Sequence, residues 1–369
     1  MDERSTDTPS AVGRSHRGRR AVLALALSAG AVPLAVAIPA SGAPSHPTAA
    51  STPKIVAFGY HVKALAGPGT GQSKPDDVTQ LGKDIFVGWQ NGVGPNGEPA
   101  PGTGDTMSTI VEYTEKGVPV TSWSVTGKCD GLGADPATGE VLASVNEDSN
   151  SSIYAINPST SAVVHLTYNV DPTTLGGGGT DAISVINGNI FISGSNPSAA
   201  NAPAVYQVAL NEVTMVATLT PIFNDNAAAT GPSGPVTLAL TDPDSNAVVP
   251  SSAPMFGGDF VLDSQGDSQL IFVANPGGVG QTLTQVPIGT QVDDVTWASA
   301  ASGALFLTDN ANNEIYRISG TFTPGTVFVS VPNDSGVASF VGTLNLSTGQ
   351  VTPVAVGFSN PHGMIFVPK

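Results

Sequence analysis

Residues 128–145 read KCDGLGADPATGEVLASV. A polar tag, KCDGLG, leads into a turn containing Asp135, Pro136 and Gly139, and an apolar run, EVLASV, comes back out of it. Asp, Pro and Gly punctuate a chain while Val and Leu suit a pleated surface, so the stretch predicts two antiparallel strands. A third apolar run, Ser152–Ile156, follows closely. The same order returns in both directions. The tags KPDDVT (74–79), GTDAIS (179–184), DPDSNA (242–247) and VDDVTW (292–297) each precede a pair of short apolar runs, and NPHGMI (360–365) stands near the end. Those pairs are 84–89 with 109–113, 189–193 with 204–208, 259–263 with 269–273, and 304–308 with 314–318. Aligning the tags puts Asp76, Asp130, Asp181, Asp244, Asp293 and His362 in one column, at separations of 54, 51, 63, 49 and 69 residues. Each interval holds a four-stranded antiparallel sheet with its loops, which is one propeller blade.

The composition agrees. Of 369 residues, 43 are Gly and 30 are Pro, 11% are charged and 40% are hydrophobic. Gly and Pro at that density interrupt helices, and the scarcity of charge removes coiled coils and salt-bridged helices. The expected fold is all-β: a β-propeller of six four-stranded blades over residues 54–369, its ring closed by pairing N- and C-terminal strands. Only four residues follow NPHGMI, so its sheet needs an N-terminal strand such as Ile55–Tyr60. Closure of that kind removes exposed sheet edges. The last interval is overlong, and Thr326–Val331 and Val337–Asn345 within it leave room for a seventh blade.

The first 53 residues read as an address and a tether. Arg14, Arg17, Arg19 and Arg20 precede an uncharged apolar run from Ala21 to Ile38 and the small residues Ala40–Ala43. This is the pattern of a secretory signal, and the Arg19–Arg20 pair also permits twin-arginine export. The alternative is a retained anchor, disfavoured by an apolar run of only 18 residues with Pro33 inside it and Pro39 just beyond. Residues 44–53 (PSHPTAASTP) are expected as a flexible linker. Cleavage after Ala43 leaves 8 basic against 26 acidic side chains, a net charge of −18. Such a surface repels phosphate backbones and anionic lipid. A secreted, extracellular monomer is expected, with a small-molecule ligand and no nucleic-acid or membrane partner. Cys129 is the single cysteine, so no intrachain disulfide staples the fold.

The first strand of a blade lines the propeller axis, so the aligned tag residues are expected to converge at one mouth of the channel. Five carboxylates and an imidazole confined there repel one another unless something compensates. A divalent cation does so: carboxylate oxygens suit Ca²⁺, the first expectation, or Mn²⁺, and an imidazole admits Zn²⁺ or Fe²⁺. Asp76, Asp130, Asp181, Asp244, Asp293 and His362 are therefore the candidate metal ligands, a subset of them coordinating. The competing reading gives each Asp a turn N–H to accept from, with no ligand at all.

KCDGLGADPATGEVLASV (128–145) and NPHGMIFV (360–367) resemble the tags of six-bladed propellers of the SMP-30/gluconolactonase and NHL-repeat type. The resemblance extends over residues 54–369 as a pattern. It implies a metal-dependent lactonase-like hydrolase or lyase, in which a tag Asp is both metal ligand and base. Asp130 matches that Asp best, with Asp76 next. The tags carry Asp or His where lactonases carry a Glu and a Pro-Asn-Gly. Asp130 and His362 are the catalytic candidates, His362 as ligand or general acid/base. The alternative function is a non-catalytic extracellular binding or scaffold propeller with a structural ion or water on its axis.

A second polar cluster follows the second strand of each pair: Gln90-Asn91, Asn146-Glu147-Asp148, Ser195-Asn196, Asp263-Gln265-Asp267 and Asp309-Asn310. These are expected as tight hairpin turns, the alternative being an outer-face calcium site. The insertion at 91–108 is either a loop gating one face or surface slack. Trp89 and Cys129 are expected in the core, and Gly176–Gly179 where the chain makes a close approach.

Overall fold

The computed structural model describes residues 54–197, 201–334 and 336–369. The signal, the anchor alternative and the 44–53 linker lie outside these residues. Residues 51–369 form one compact unit. It is all-β apart from two short 3₁₀ turns, Pro172–Leu175 and Gln265–Asp267.

The strands assemble as antiparallel meanders. Pro75–Leu81, Asp84–Trp89, Met107–Thr114 and Pro119–Thr126 make the first sheet. The next two meanders start at Cys129–Asp135 and Thr180–Ile186. They merge into one eight-stranded sheet through a short parallel bridge, Thr167 with Val216 and Tyr168 with Ala217. A fourth runs from Pro243–Val248 to Thr282–Pro287, with the hairpin Ala228–Gly231 and Gly234–Thr237 on its outer edge. Every tag opens the first strand of a sheet or directly precedes it. These first strands touch one another in a closed cycle: 75–81, 129–135, 180–186, 243–248, 294–297, 361–368 and back to 75–81. The architecture is that of a β-propeller.

The core sits between sheets. Ile85, Val87 and Trp89 pack toward Ala304, Phe306 and Val367, while Phe86 faces Leu132, Val141 and Tyr154. A strand buried on both faces must be apolar at successive positions, which explains DIFVGW and its counterparts. Six apolar clusters of this kind occur among the described residues, each shared by neighbouring sheets. Trp89 and Cys129 are both fully buried, as expected.

Two strand pairings differ from the sequence expectation. The hairpin Ser302–Asp309 and Glu314–Thr321 does not complete the sheet of the Asp293 tag; it pairs with the C-terminal strand Pro361–Pro368. The Asp293 sheet takes Val327–Val331, Phe340–Asn345 and Gln350–Val356 instead, which accounts for the overlong interval. The anchoring chemistry is visible: Asp309 accepts the backbone N–H groups of Ser359 and Asn360 at 2.9 Å each, fixing the NPHG turn to this hairpin. The N- and C-terminal strands also do not pair directly. Tyr60–Ala66 joins Glu314–Thr321, with two strands between it and the C-terminus, and Val56–Ala57 caps Gln350–Val356.

Candidate functional site

In five meanders the pairing of the first and second strands slips within the tag. The slips fall between Pro75 and Val78, Cys129 and Gly131, Thr180 and Ile183, Pro243 and Asn246, and opposite His362 between Leu307 and Asp309. A bulge of this kind re-aims a side chain that a regular ladder would bury in the sheet. Hydroxyls of the preceding meander then hold three of these bulges. Ser193 Oγ donates to the Asp244 carbonyl at 2.7 Å, and Ser144 and Thr308 donate to the carbonyls of Asp181 and Asp76. Gly131 and Gly363 permit this close approach: a Cβ on Gly363 would lie 2.7 Å from the Asp77 Cα. In the double-Asp tags the second carboxylate is structural. Asp77 accepts N–H groups of Val78 and Leu132 at 2.6 Å, and Asp294 those of Val295 at 2.6 Å and Met364 at 2.5 Å.

Asp76, Asp130, Asp181, Asp244, Asp293 and His362 all line one axial cavity of about 550 Å³. His362 sits between carboxylates: its Nδ1 is 3.0 Å from Asp76 Oδ1 and 3.2 Å from Asp293 Oδ2. Asn360 Nδ2 lies 2.8 Å from His362 Nε2 and 3.3 Å from Asp334 Oδ1. Burial alone would lower the His362 pKa, but Asp293, Asp76 and Asp334 outweigh it and raise it to about 10. Burial pushes Asp293 up to about 7, against the pull of His362 and reinforced by Asp76. Gln265 Nε2 bridges Asp244 and Asp293 at 3.3 Å to each.

Across the ring, Lys128 Nζ pairs with Asp130 Oδ1 at 2.7 Å and with Glu147 Oε1. Gln90 Nε2 adds a bond to the same Asp130 oxygen at 3.2 Å. Burial pulls the Lys128 pKa down, yet Asp130 and Glu147 hold it well above the ordinary lysine range. Asp130, Asp181 and Asp244 are all pushed well up, chiefly by burial.

Among the described residues, the metal-capable grouping is Asp293, Asp334 and His362, with donor atoms all within 4.8 Å of one another. It contains two of the tag residues. Asp76 stands beside it through His362, whereas Asp130 and Asp181 lie on the other side of the ring. Asp334 and Glu147 escaped the sequence reading, though a signal existed. The polar clusters after the second strands, read as hairpin turns, reach the axial mouth: Gln90, Glu147, Gln265 and Asn310 bond to or line up with the tag carboxylates. An antiparallel pair brings the exit of one strand beside the entry of its neighbour, so this position recurs next to the tag. Asp334 occupies it in the Asp293 sheet.

The insertion at 91–108 is neither slack nor an evident gate. Val93 and Ala100 are buried, and its Pro95 carbonyl accepts the Asp148 N–H at 3.2 Å, bracing the loop that carries Glu147. Gly179 packs against the same loop, where a Cβ would fall 2.4 Å from the Asn146 carbonyl.

No family model and no curated protein matches this chain. Solved structures do. The chain is similar to the periplasmic gluconolactonase of Pseudomonas aeruginosa, with 13% identity, 85% of this chain and 99% of that one covered, and a TM-score of 0.45. A streptogramin B lyase gives 11% identity, coverage of 83% and 91%, and 0.45. A chain of a nidogen/laminin complex gives 9%, 80% and 85%, and 0.47.

Proposed function

We propose that this chain is a secreted, metal-dependent hydrolase or lyase that acts on a small molecule such as a lactone in the axial cavity of a six-bladed propeller. The observation that carries the reading is the Asp293–Asp334–His362 group, with donor atoms within 4.8 Å of one another at a cavity lined by further carboxylates. The blade count is supported by the six shared apolar clusters and the cycle of first strands. A cavity of about 550 Å³ lies in the range of small-molecule sites.

One imidazole and two carboxylates make a donor set that fits a divalent cation such as Ca²⁺, Mn²⁺ or Zn²⁺. When bound, the cation supplies Lewis acidity to a carbonyl and acidity to a coordinated water. Asp293, Asp334 and His362 would hold it, His362 after giving up the proton that Asp293, Asp76 and Asp334 keep on it, and Asn360 touches both His362 and Asp334. Asp76 Oδ1 is occupied by His362 and Asn310, while no hydrogen bond from the described residues reaches its Oδ2. That free oxygen is the proton acceptor we assign. Asp130, held by Lys128 and Gln90, is read as a binding group.

Metal analysis of the purified protein, with thermal melts in the presence and absence of EDTA, tests the ion. A bound divalent cation and a fall in Tm on chelation are expected; neither one appearing ends the metal reading. On a lactone panel, Asp293→Asn should lose both metal and turnover. Asp76→Asn should keep the metal and lose about a hundredfold or more in kcat. Metal without turnover of any lactone would leave the binding-propeller reading in its place.

A further inference from the structure

We propose that the arc of Asp130, Asp181 and Glu147, opposite the metal group, seats the ammonium or guanidinium group of a small organic molecule. This deepens the proposed function by naming a substrate class, and it rests on that reading only for the claim that the cavity binds a small molecule. The order of first strands around the ring places Asp130 and Asp181 across from Asp293 and His362.

The chemistry of the arc is unbalanced in one direction. Asp130, which lines the cavity, is only 5% exposed; Lys128 and Gln90 take its Oδ1, and its buried Oδ2 has no hydrogen-bond partner among the described residues. Asp181 is 6% exposed, and no donor among the described residues reaches its carboxylate. Against these two and Glu147 stands a single cation, Lys128. Buried acceptors without donors are costly, and the deficit here is specifically of positively charged N–H groups. The lysine also shows the seat in use. Its ammonium lies 2.7 Å from Asp130 Oδ1 and touches Glu147, so the arc already accommodates one group of this kind.

The spacing favours an organic cation over a second metal ion. A hard cation needs several oxygens packed closely around it. Among the described residues only Asp293, Asp334 and His362 bring three donors within 4.8 Å of one another. An ammonium or guanidinium instead reaches separated acceptors through directional N–H bonds. A ligand bearing an uncompensated carboxylate or phosphate would meet repulsion at this end. Burial pushes Asp130 and Asp181 well up, and Lys128 pulls against it at both.

Isothermal titration of the purified, EDTA-treated protein with putrescine and agmatine tests this, with butanediol and succinate as uncharged and anionic controls. Saturable one-to-one binding is expected for the two cations and none for the controls. Asp181→Asn should weaken putrescine binding about tenfold or more while leaving metal content unchanged. The amide replaces a buried acid that is costly to ionise, so the variant should melt no lower than the parent. Lys128→Met, which empties the built-in occupant from the seat, should bind putrescine more tightly. No saturable binding up to about 10 mM, or equal affinity in Asp181→Asn, overturns the proposal. Putrescine binding by protein that carried no metal before EDTA treatment would sink the metal reading and leave this one standing.

Discussion

Asp263 occupies a position where other sheets place a hydroxyl. Ser144, Ser193, Thr308 and Ser330 sit at the equivalent point of their second strands and bond across to the tag backbone. Asp263 is fully buried, and neither of its oxygens has a partner. Burial first, then Asp293 and Asp294, push its pKa well up. Only the protonated acid can donate as a serine does. A carboxyl raised in the folded state contributes stability below the ordinary carboxylate range and loses it as pH rises through the folded pKa. Asp263→Asn keeps a donor and removes the charge, so it should change little near pH 4. By pH 8 it should stabilise by about 1–3 kcal/mol, a few degrees in Tm. Melts of both proteins across that range check this, and a variant less stable at pH 8 would show that the ionised carboxylate has a partner after all.

Among the elements, Tyr60–Ala66 has the most to answer for. It is the outer strand of the C-terminal sheet, and Tyr60 packs on Phe322 and Phe328 at ring-centroid distances of 5.2 and 5.9 Å. Deleting residues through Ala66 bares the ladder of Glu314–Thr321 and opens that cluster. Tyr60 is half-buried, so its loss costs less than the roughly 3–5 kcal/mol of a fully buried aromatic, and an uncovered edge invites pairing between molecules. A lower Tm and concentration-dependent aggregation by light scattering are expected; an unchanged, monomeric product would mean the strand is dispensable. The same sheet shows where sequence reading reaches its limit. The tags were legible because the bulge and its carboxylate repeat, and apolar runs were legible because each strand is buried on both faces. Which strand pairs with which is decided by burial between distant segments. Assigning 304–318 to the Asp293 tag hid the true second strand, Val327–Val331, and with it the loop that carries Asp334. Glu147 was visible as part of a recurring polar cluster, but local turn chemistry explains such clusters equally well without an axis.

Taken whole, the molecule concentrates buried acids around its centre, and this sets how its stability varies with pH. Burial raises Asp77 and Asp293 to about 7, and it drives Asp130, Asp181, Asp244, Asp263 and Asp294 upward as well. All seven shifts have the same sign. Between the ordinary carboxylate range and pH 7 or above, the folded chain holds protons that the unfolded chain has released, so stability falls as pH rises. His362, raised from 6.5 to about 10, loses its contribution progressively between those values and so adds to the fall above pH 6.5. In EDTA, Tm should therefore drop on going from pH 5 to pH 8, by on the order of 10 °C if a few of the acids ionise. A divalent cation replaces protons as the compensating charge. It should raise Tm strongly at pH 8 and little at pH 5, where protons already occupy the carboxylates. Calorimetric scans at both pH values, with and without added Ca²⁺, Mn²⁺ or Zn²⁺, resolve the two effects. A Tm that climbs from pH 5 to pH 8 without metal would mean that the ring is neutralised by its own hydrogen bonds, and that no cation is needed to hold it together.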